Sequence, residues 1–406
     1  MSRGRQKPTD RLSSGQGRHE SGRELAMKTP TLYLIYSGEG RAERGLEQRG
    51  FSLIEILVTM AIFSVLMTGV FRAYFSQLDH TTREYRLAES EIEQTIAKRI
   101  IEQDMLMSGY GLADDYGSLT FDPMPVTVVN GSGTSDELIV RGTSLGIQGR
   151  EGRAWSYIET FNSGTGSISF RDDWEDTREL LTSGNRVILL EPSSKKLLTQ
   201  NDSGGTERWL YSFTGSTSNV TLVSPPASSA AAFADPQVGV LVYGLYTNSS
   251  HDAAAQPYFS TRYYLGGTSP AGCAPGTLSL ERTESVERDV PAAPSDSVTP
   301  MLTCVLDFQV ALGLDTDEDG DVDNWDNGGA VASGYDREQL NKRLKRIKVF
   351  YLVQNGHRDE DYTFPATDSK VWVGEGSLGR EVTLTAEQLK YRWRLVSLSV
   401  QPRNVR

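Results

Sequence analysis

The chain has 406 residues, an apolar fraction of 38% and a formal charge of -12, enough length and apolar content for one large folded domain or two smaller ones. The charge is uneven, because residues 1–50 hold ten Lys/Arg against six Asp/Glu and leave 31 against 47 in the remainder. An acidic body repels phosphate backbones and disfavours nucleic acid as a partner, while His19, His80, His251 and His357 lack the spacing of a zinc centre or a histidine-based triad.

Residues 1–30 carry no periodic apolar pattern and read as disordered. From Phe51 to Phe71 there are 21 residues with one charge, Glu55, and the next charge is Arg72. About 20 apolar residues cross a bilayer core, so residues 51–71 predict a transmembrane helix. Arg41, Arg44 and Arg49 precede it, which puts residues 1–50 in the cytoplasm and the body outside. An ordinary secretory signal fits poorly, since the run is too long and no small-x-small site follows.

The helical pattern continues. No proline lies between Pro30 and Pro123, and apolar residues recur at Leu78, Tyr85, Ala88, Ile92, Ile96 and Ile100 until "SGYG" at 108–111 supplies a stop. A helix over 51–107 would be about 85 Å long, roughly 55 Å more than a bilayer core. The apolar stripe predicts that its second half is packed.

Beyond Gly109 come short runs of period two, among them "DELIVRG", "NRVILLE", "GVLVYGLY", "YFSTRYYL", "LTCVLDFQVAL", "RIKVFYLV" and "RWRLVSLSVQ". They predict an antiparallel sheet with the long helix on one face, an α+β head treated as one unit from 109 to 406. "PPASSAAAFADP" at 225–236 and "PAAPSDSVTP" at 291–300 read as loops, and "RDDWEDTRE" at 171–179 as a solvated acidic turn. Two cysteines, Cys273 and Cys304, fit an exported protein with one bridge, the alternative being two buried thiols. Pairing would stabilise the fold by about 3.5–4 kcal/mol in the chain-entropy description.

"LDTDEDGDVDNWD" at 314–326 sets Asp315, Asp317, Asp319, Gly320 and Asp323 in the D-x-D-x-D-G-x-x-D spacing of a calcium loop. Calcium takes six to eight oxygens, and alternating aspartates on a glycine turn bring several carboxylates inward. The Asp321 carbonyl would be the backbone ligand, and Asp326 stands where an EF-hand has its bidentate glutamate. Strand-like sequence precedes the loop, so a structural Ca2+ without EF-hand helices is expected; the alternative is a solvated acidic turn. "LNKRLKRIKVFYLV" groups Lys342, Arg343, Lys345, Arg346 and Lys348 with Tyr351, a combination open to DNA or an acidic partner but read first as the solvated end of a strand. No phosphate loop, nucleophile elbow or paired catalytic carboxylate motif stands out, so no enzyme is expected.

"RGFSLIE" followed by an apolar helix resembles the class III signal of type IV pilins and type II secretion pseudopilins. The resemblance implies that a prepilin peptidase cuts after Gly50 and methylates the new amino terminus at Phe51. It also implies that Glu55 attracts the amino terminus of a neighbouring subunit during assembly. A carboxylate at mid-bilayer costs about 2.5–3.5 kcal/mol and less near the interface, and attraction at about 4 Å with an effective dielectric near 20 is about 4 kcal/mol before desolvation. The alternative is a glutamate snorkelling to the interface. A 50-residue leader is longer than the family's usual one, and a leader beginning at Met27 would still be long; a start placed too far upstream would account for this departure from the family pattern.

"IIEQDMLMSGYGL", the 315–326 loop and the terminal "YRWRLVSLSVQPRNVR" are similar to the PilW group of minor pilins. That resemblance implies a subunit that joins other minor pilins at the fibre tip and primes assembly of the major pilin, driven by an inner-membrane platform and a cytoplasmic ATPase. Its head would lie in the periplasm before assembly. Rival readings are a J-like minor pseudopilin and a calcium-dependent tip adhesin or DNA-binding subunit. The cleavage is checked by mass spectrometry of the mature N-terminal peptide, expected to begin at N-methylated Phe51; a product retaining residues before it contradicts the assignment.

Overall fold

The computed structural model describes residues 51–117, 119, 123–143, 145, 155–162, 167–171, 186–201, 207–216, 219–223, 239–245, 257–268, 270–285 and 297–405. Gly50 and the leader lie outside these residues, as do the acidic stretch from 172, the 225–236 stretch and residues 291–296. Contacts cluster into two compact units, one ending at Thr68 and the other running from Gly69 to Arg406.

One helix, α1, runs Leu53–Leu106, close to the expected limits. Its stop is stereochemical: Gly109 has φ +79°, and a Cβ there would lie 3.1 Å from the Asn404 carbonyl oxygen. The Gly109 N–H donates to the Arg141 carbonyl at 2.8 Å, so the chain turns directly into the sheet.

The main sheet contains β1 (Val126–Val129), β2 (Glu137–Gly142), β11 (Phe259–Gly266), β12 (Leu278–Ser285), β13 (Ser297–Leu314), β15 (Leu344–Gln354) and β18 (Trp393–Val400) in that spatial order. A short β14 (Asn324–Asn327) also pairs with β13, and the pairings are antiparallel. Residues 297–300, expected in a loop, begin β13, and Pro300 sits opposite Glu281 beside a register shift. That irregularity is where a strand tolerates a residue without an N–H.

Alternation sorts the core. In β15, Ile347, Val349, Tyr351 and Val353 join the larger apolar cluster, while Phe350 and Leu352 join a smaller one on the other face. The hairpin β16 (Lys370–Glu375) and β17 (Leu378–Thr383) supplies Val373 and Leu378 to that smaller cluster. Cys273 and Cys304 are disulfide-bonded, tying the turn before β12 to β13.

Between β2 and β11 the chain builds a second, closed barrel that the sequence reading did not separate. It consists of β3 (Trp155–Asn162), β4 (Ser167–Phe170), β5 (Arg186–Leu190), β8 (Tyr211–Ser216), β9 (Asn219–Val223) and β10 (Val240–Leu245), in the order β10-β3-β4-β9-β8-β5. The continuous apolar run of β5 follows from burial on both sides: Val187 and Leu189 fill the barrel, whereas Ile188 and Leu190 join the main core. A two-stranded ribbon, β6 (Gln200–Asn201) and β7 (Glu207–Arg208), lies between β5 and β8 in the chain.

The face of α1 that meets the sheet is not the apolar stripe. Ala97, Ile101 and Met105 are fully buried together with Gln94, Asp104 and Ser108, whereas Tyr85, Ile92 and Ile96 are 72%, 61% and 54% exposed. The seat is set by Asp104. Its Oδ2 accepts from the Tyr263 hydroxyl at 2.6 Å and from Arg282 Nε at 2.9 Å. Arg282 also donates to Thr261 Oγ1 and Glu284 Oε1, both at 3.3 Å.

Burial alone would lower the Arg282 pKa, but Asp104, Tyr263 and Glu284 outweigh it and raise the value. Burial, reinforced by the Asp104 charge, holds the Tyr263 hydroxyl well above its ordinary value, so it remains a donor. A polar seat inside an otherwise apolar surface escapes a count of apolar periodicity. Removing one partner of such a buried pair leaves an uncompensated charge. Asp104→Ala is therefore expected to lower unfolding stability by about 3–5 kcal/mol in urea titration, and Asp104→Leu with Arg282→Met to recover most of it. A single-site loss below about 1 kcal/mol would contradict this role.

Candidate functional site

Two places carry chemistry suggested by the sequence. The first is the start of α1. The Ser52 carbonyl accepts from Glu55 N–H at 2.9 Å and Ile56 N–H at 3.2 Å, so the helix begins directly behind Phe51. Phe51 is 79% exposed, and the apolar segment is long enough by composition to cross a membrane, with no residue of its most apolar window buried.

Hydroxyls within this segment return to their own backbone. Thr59 donates to the Glu55 carbonyl at 2.9 Å, Ser64 to Met60 at 2.8 Å and Thr68 to Ser64 at 2.8 Å. Such bonds satisfy polar side chains without an external partner. The Glu55 carboxylate differs, for among the described residues it has no hydrogen-bond partner.

The second place is the acidic loop between β13 and β14. Asp315 is fully buried, and its carboxylate accepts from Asp319 N–H at 3.1 Å and Gly320 N–H at 2.9 Å, with Lys345 Nζ 3.3 Å away. Gly320 has φ +105°, the left-handed region that glycine enters at least cost. Asp323 accepts from the N–H and hydroxyl of Thr316, the latter at 2.7 Å. Carboxylate oxygens of Asp315, Asp317 and Asp323 lie within 4.8 Å of one another.

Asp319 instead turns an oxygen to the Asp321 N–H at 2.9 Å. Asp326 is not brought to the group: it is buried, and its Oδ2 accepts from Ala332 N–H at 2.7 Å. Sequence spacing places Asp326 correctly along an EF-hand ruler, but pairing of β14 with β13 redirects its side chain.

Electrostatics follow from these contacts. Burial pushes the Asp315 carboxyl up, yet the Gly320 N–H and Lys345 more than offset it and hold the pKa below the usual value. Asp317 is raised by desolvation and by the neighbouring charges of Asp319 and Asp323. Asp323 is lowered by the hydroxyl and N–H of Thr316. Three carboxylates thus converge with one, Asp317, destabilised in its charged form.

The basic run is largely matched inside the protein. Asp336 and Gln339 form a capping box for a short helix, α2 (Arg337–Arg343), so Lys342 and Arg343 are helical rather than the end of a strand. Lys342 pairs with Glu338 at 2.7 Å, Arg343 with Glu318 at 3.7 Å and Lys348 with Glu375 at 2.8 Å. Arg346 and Tyr351 lie on β15, where the Tyr351 hydroxyl is buried and its pKa is raised by burial to about 12.

Residues 47–71 match the family model described as the prokaryotic N-terminal methylation motif. The chain carries a pilin-like processing signal. The matched residues include Gly50, Phe51 and Glu55, and the motif implies processing by a prepilin peptidase, membrane anchoring and assembly with other pilin-like subunits. No curated protein sequence and no solved structure matches the chain.

Without divalent cations, Asp317→Asn removes one of the mutually repelling charges. It is expected to raise the melting temperature by roughly 1 °C in calorimetry at neutral pH with a chelator. A fall would show that the Asp317 charge is already stabilised within the loop.

Proposed function

We propose that this chain is a minor pilin of a type IV pilus, similar to the PilW group, which joins other minor pilins at the fibre tip and primes assembly of the major pilin. One observation carries the reading. A methylation motif at 47–71 continues without interruption into a helix reaching Leu106, whose last turns are embedded in an antiparallel head.

In this reading the peptidase frees Phe51, and the amino terminus of each incoming subunit meets the Glu55 carboxylate, which has no hydrogen-bond partner among the described residues. Before assembly the subunit sits in the inner membrane with its head in the periplasm. The assembly platform then moves it into the fibre at the cell surface. The protein acts as a structural subunit with no reaction of its own.

The acidic loop adds a structural calcium ion to the proposal. Asp315, Asp317, Asp319 and Asp323 would supply carboxylates and Asp321 its carbonyl, with Lys345 standing in for positive charge when the ion is away. Donor chemistry supports this, since hard oxygens in alternation on a glycine turn suit calcium. Asp326 is omitted because its carboxylate is engaged by Ala332. Calcium in large excess over its dissociation constant is expected to raise the wild-type melting temperature by roughly 4 °C and that of Asp317→Asn by much less. Equal shifts, or none, would remove the ion.

The functional test is a strain lacking this gene, with surface pili counted and secreted protein assayed in one culture. Lost pili with intact secretion fit the minor pilin; intact pili with failed secretion identify a J-like pseudopilin. Intact pili and secretion with lost adhesion would favour the tip-adhesin reading.

A further inference from the structure

The closed barrel interrupts the main sheet without breaking it. Gly142, at the end of β2, pairs directly with Phe259 at the start of β11, so the strands on either side of the insertion are already joined. Beyond the contacts of Ile188 and Leu190 with the main core, what the barrel adds is outer surface.

Strand alternation sets the chemistry of that surface. In β3, Ser156 and Ile158 are buried and Ile158 joins the barrel core, while Trp155 and Tyr157 alternate with them on the outer face. Tyr243 of β10 lies opposite Trp155 in register. The rings form a row. Trp155 meets Tyr157 edge-on at 5.4 Å and stacks with Tyr243 at 6.4 Å and 22°, and Tyr110, from the turn after α1, meets Tyr243 edge-on at 5.4 Å. Arg171 holds its guanidinium 5.7 Å over the Tyr157 ring, and its backbone N–H donates to the Tyr157 carbonyl at 2.9 Å. The β3 pairing with β4 shifts register just after Tyr157, and such shifts re-aim side chains.

This row is more than core packing. Tyr243 packs against the main core, but among the described residues Trp155 and Tyr157 belong to no apolar cluster, and Trp155 is 44% exposed. Large rings ordinarily supply core burial. Two of them held outside it at fixed mutual angles make a preformed face that costs little to order on binding.

The local chemistry selects the ligand. Aromatic faces carry negative potential and attract the partly positive C–H groups that line the faces of a pyranose ring. Arg171 and the exposed Glu159, with the tyrosine hydroxyls, offer donors and acceptors to sugar hydroxyls. A quaternary ammonium is disfavoured, because the Arg171 cation already sits over Tyr157 and repels a second one. Single-stranded nucleic acid also stacks on aromatic rows but requires a basic groove, whereas this chain carries a net charge of -12.

We propose that Tyr110, Tyr243, Trp155 and Tyr157, with Arg171, form a binding site for a neutral polysaccharide whose consecutive hexose rings stack along the row. The site requires neither calcium nor incorporation into a fibre.

The test titrates full-length protein, in a detergent without a sugar headgroup and with a chelator present, by calorimetry. The probes are cellohexaose, chitohexaose, maltohexaose, glucose and a thymidine hexanucleotide. Saturable binding of at least one hexasaccharide is expected, with glucose and the hexanucleotide at least tenfold weaker. Trp155→Ala and Tyr157→Ala are each expected to weaken that binding about tenfold, the scale of one lost stacking contact, and Trp155→Phe to weaken it less. Arg171→Ala, which removes an exposed side chain and leaves the rings in place, is expected to weaken binding severalfold with an unchanged melting temperature. Trp372→Ala removes an indole of similar exposure, 43%, from the β16 and β17 hairpin and is expected to bind as wild type. Three results would each overturn the proposal: no hexasaccharide binds, the hexanucleotide binds more tightly than all three, or Trp155→Ala binds as wild type. Because neither calcium, fibres nor secretion enters the readout, its failure is distinguishable from failure of the minor pilin reading.

Discussion

The carboxylate of Asp104 fixes how the rest of the head meets α1. A helix could present several faces to an apolar sheet at similar cost, because apolar contact is nearly indifferent to rotation. A buried carboxylate is not indifferent: it must meet Arg282 and Tyr263, and the 2.6 and 2.9 Å contacts select one rotation and one register. Ala97, Ile101 and Met105 then bury as a consequence, with Ile and Met each contributing about 1.5–3 kcal/mol. The same constraint turns Tyr85, Ile92 and Ile96 outward. An apolar stripe left uncovered on one subunit is what a subunit built to assemble requires.

Charge is used differently at the α1 seat and at the acidic loop. Around α1 it is buried and paired, which favours one geometry over alternatives. Around the acidic loop it is concentrated at the surface and partly neutralised from within, with Lys345 beside Asp315 and Arg343 near Glu318. The basic run, read from the sequence as the solvated end of a strand, is largely the counter-charge of neighbouring carboxylates. Its role is to hold α2 and the loop together at the end of β13.

Much of this was legible because it depends on local pattern. The processing signal is a contiguous string, α1 has no proline to break it, and period-two runs become β2, β5, β10, β11, β13, β15 and β18. Closure of the small barrel was not legible, since Tyr243 pairs with Trp155 and Val220 with Ile168 across segments whose local alternation suits an open sheet equally well. Asp326 was misplaced by a spacing rule that ignores the strand in which it lies. The α1 seat was missed because Gln94, Asp104 and Ser108 count as polar, although their burial is what orients the helix.

The central claim is that a polar seat, not the apolar stripe, holds α1 against the head. Single substitutions Ile92→Cys and Ala97→Cys in the full-length protein, followed by thiol alkylation under native conditions, test it most directly, because the native cysteines are disulfide-bonded. Rapid labelling at position 92 and protection at 97 until denaturant is added is the predicted result. Protection at 92 with rapid labelling at 97 would place the stripe against the sheet and contradict the account.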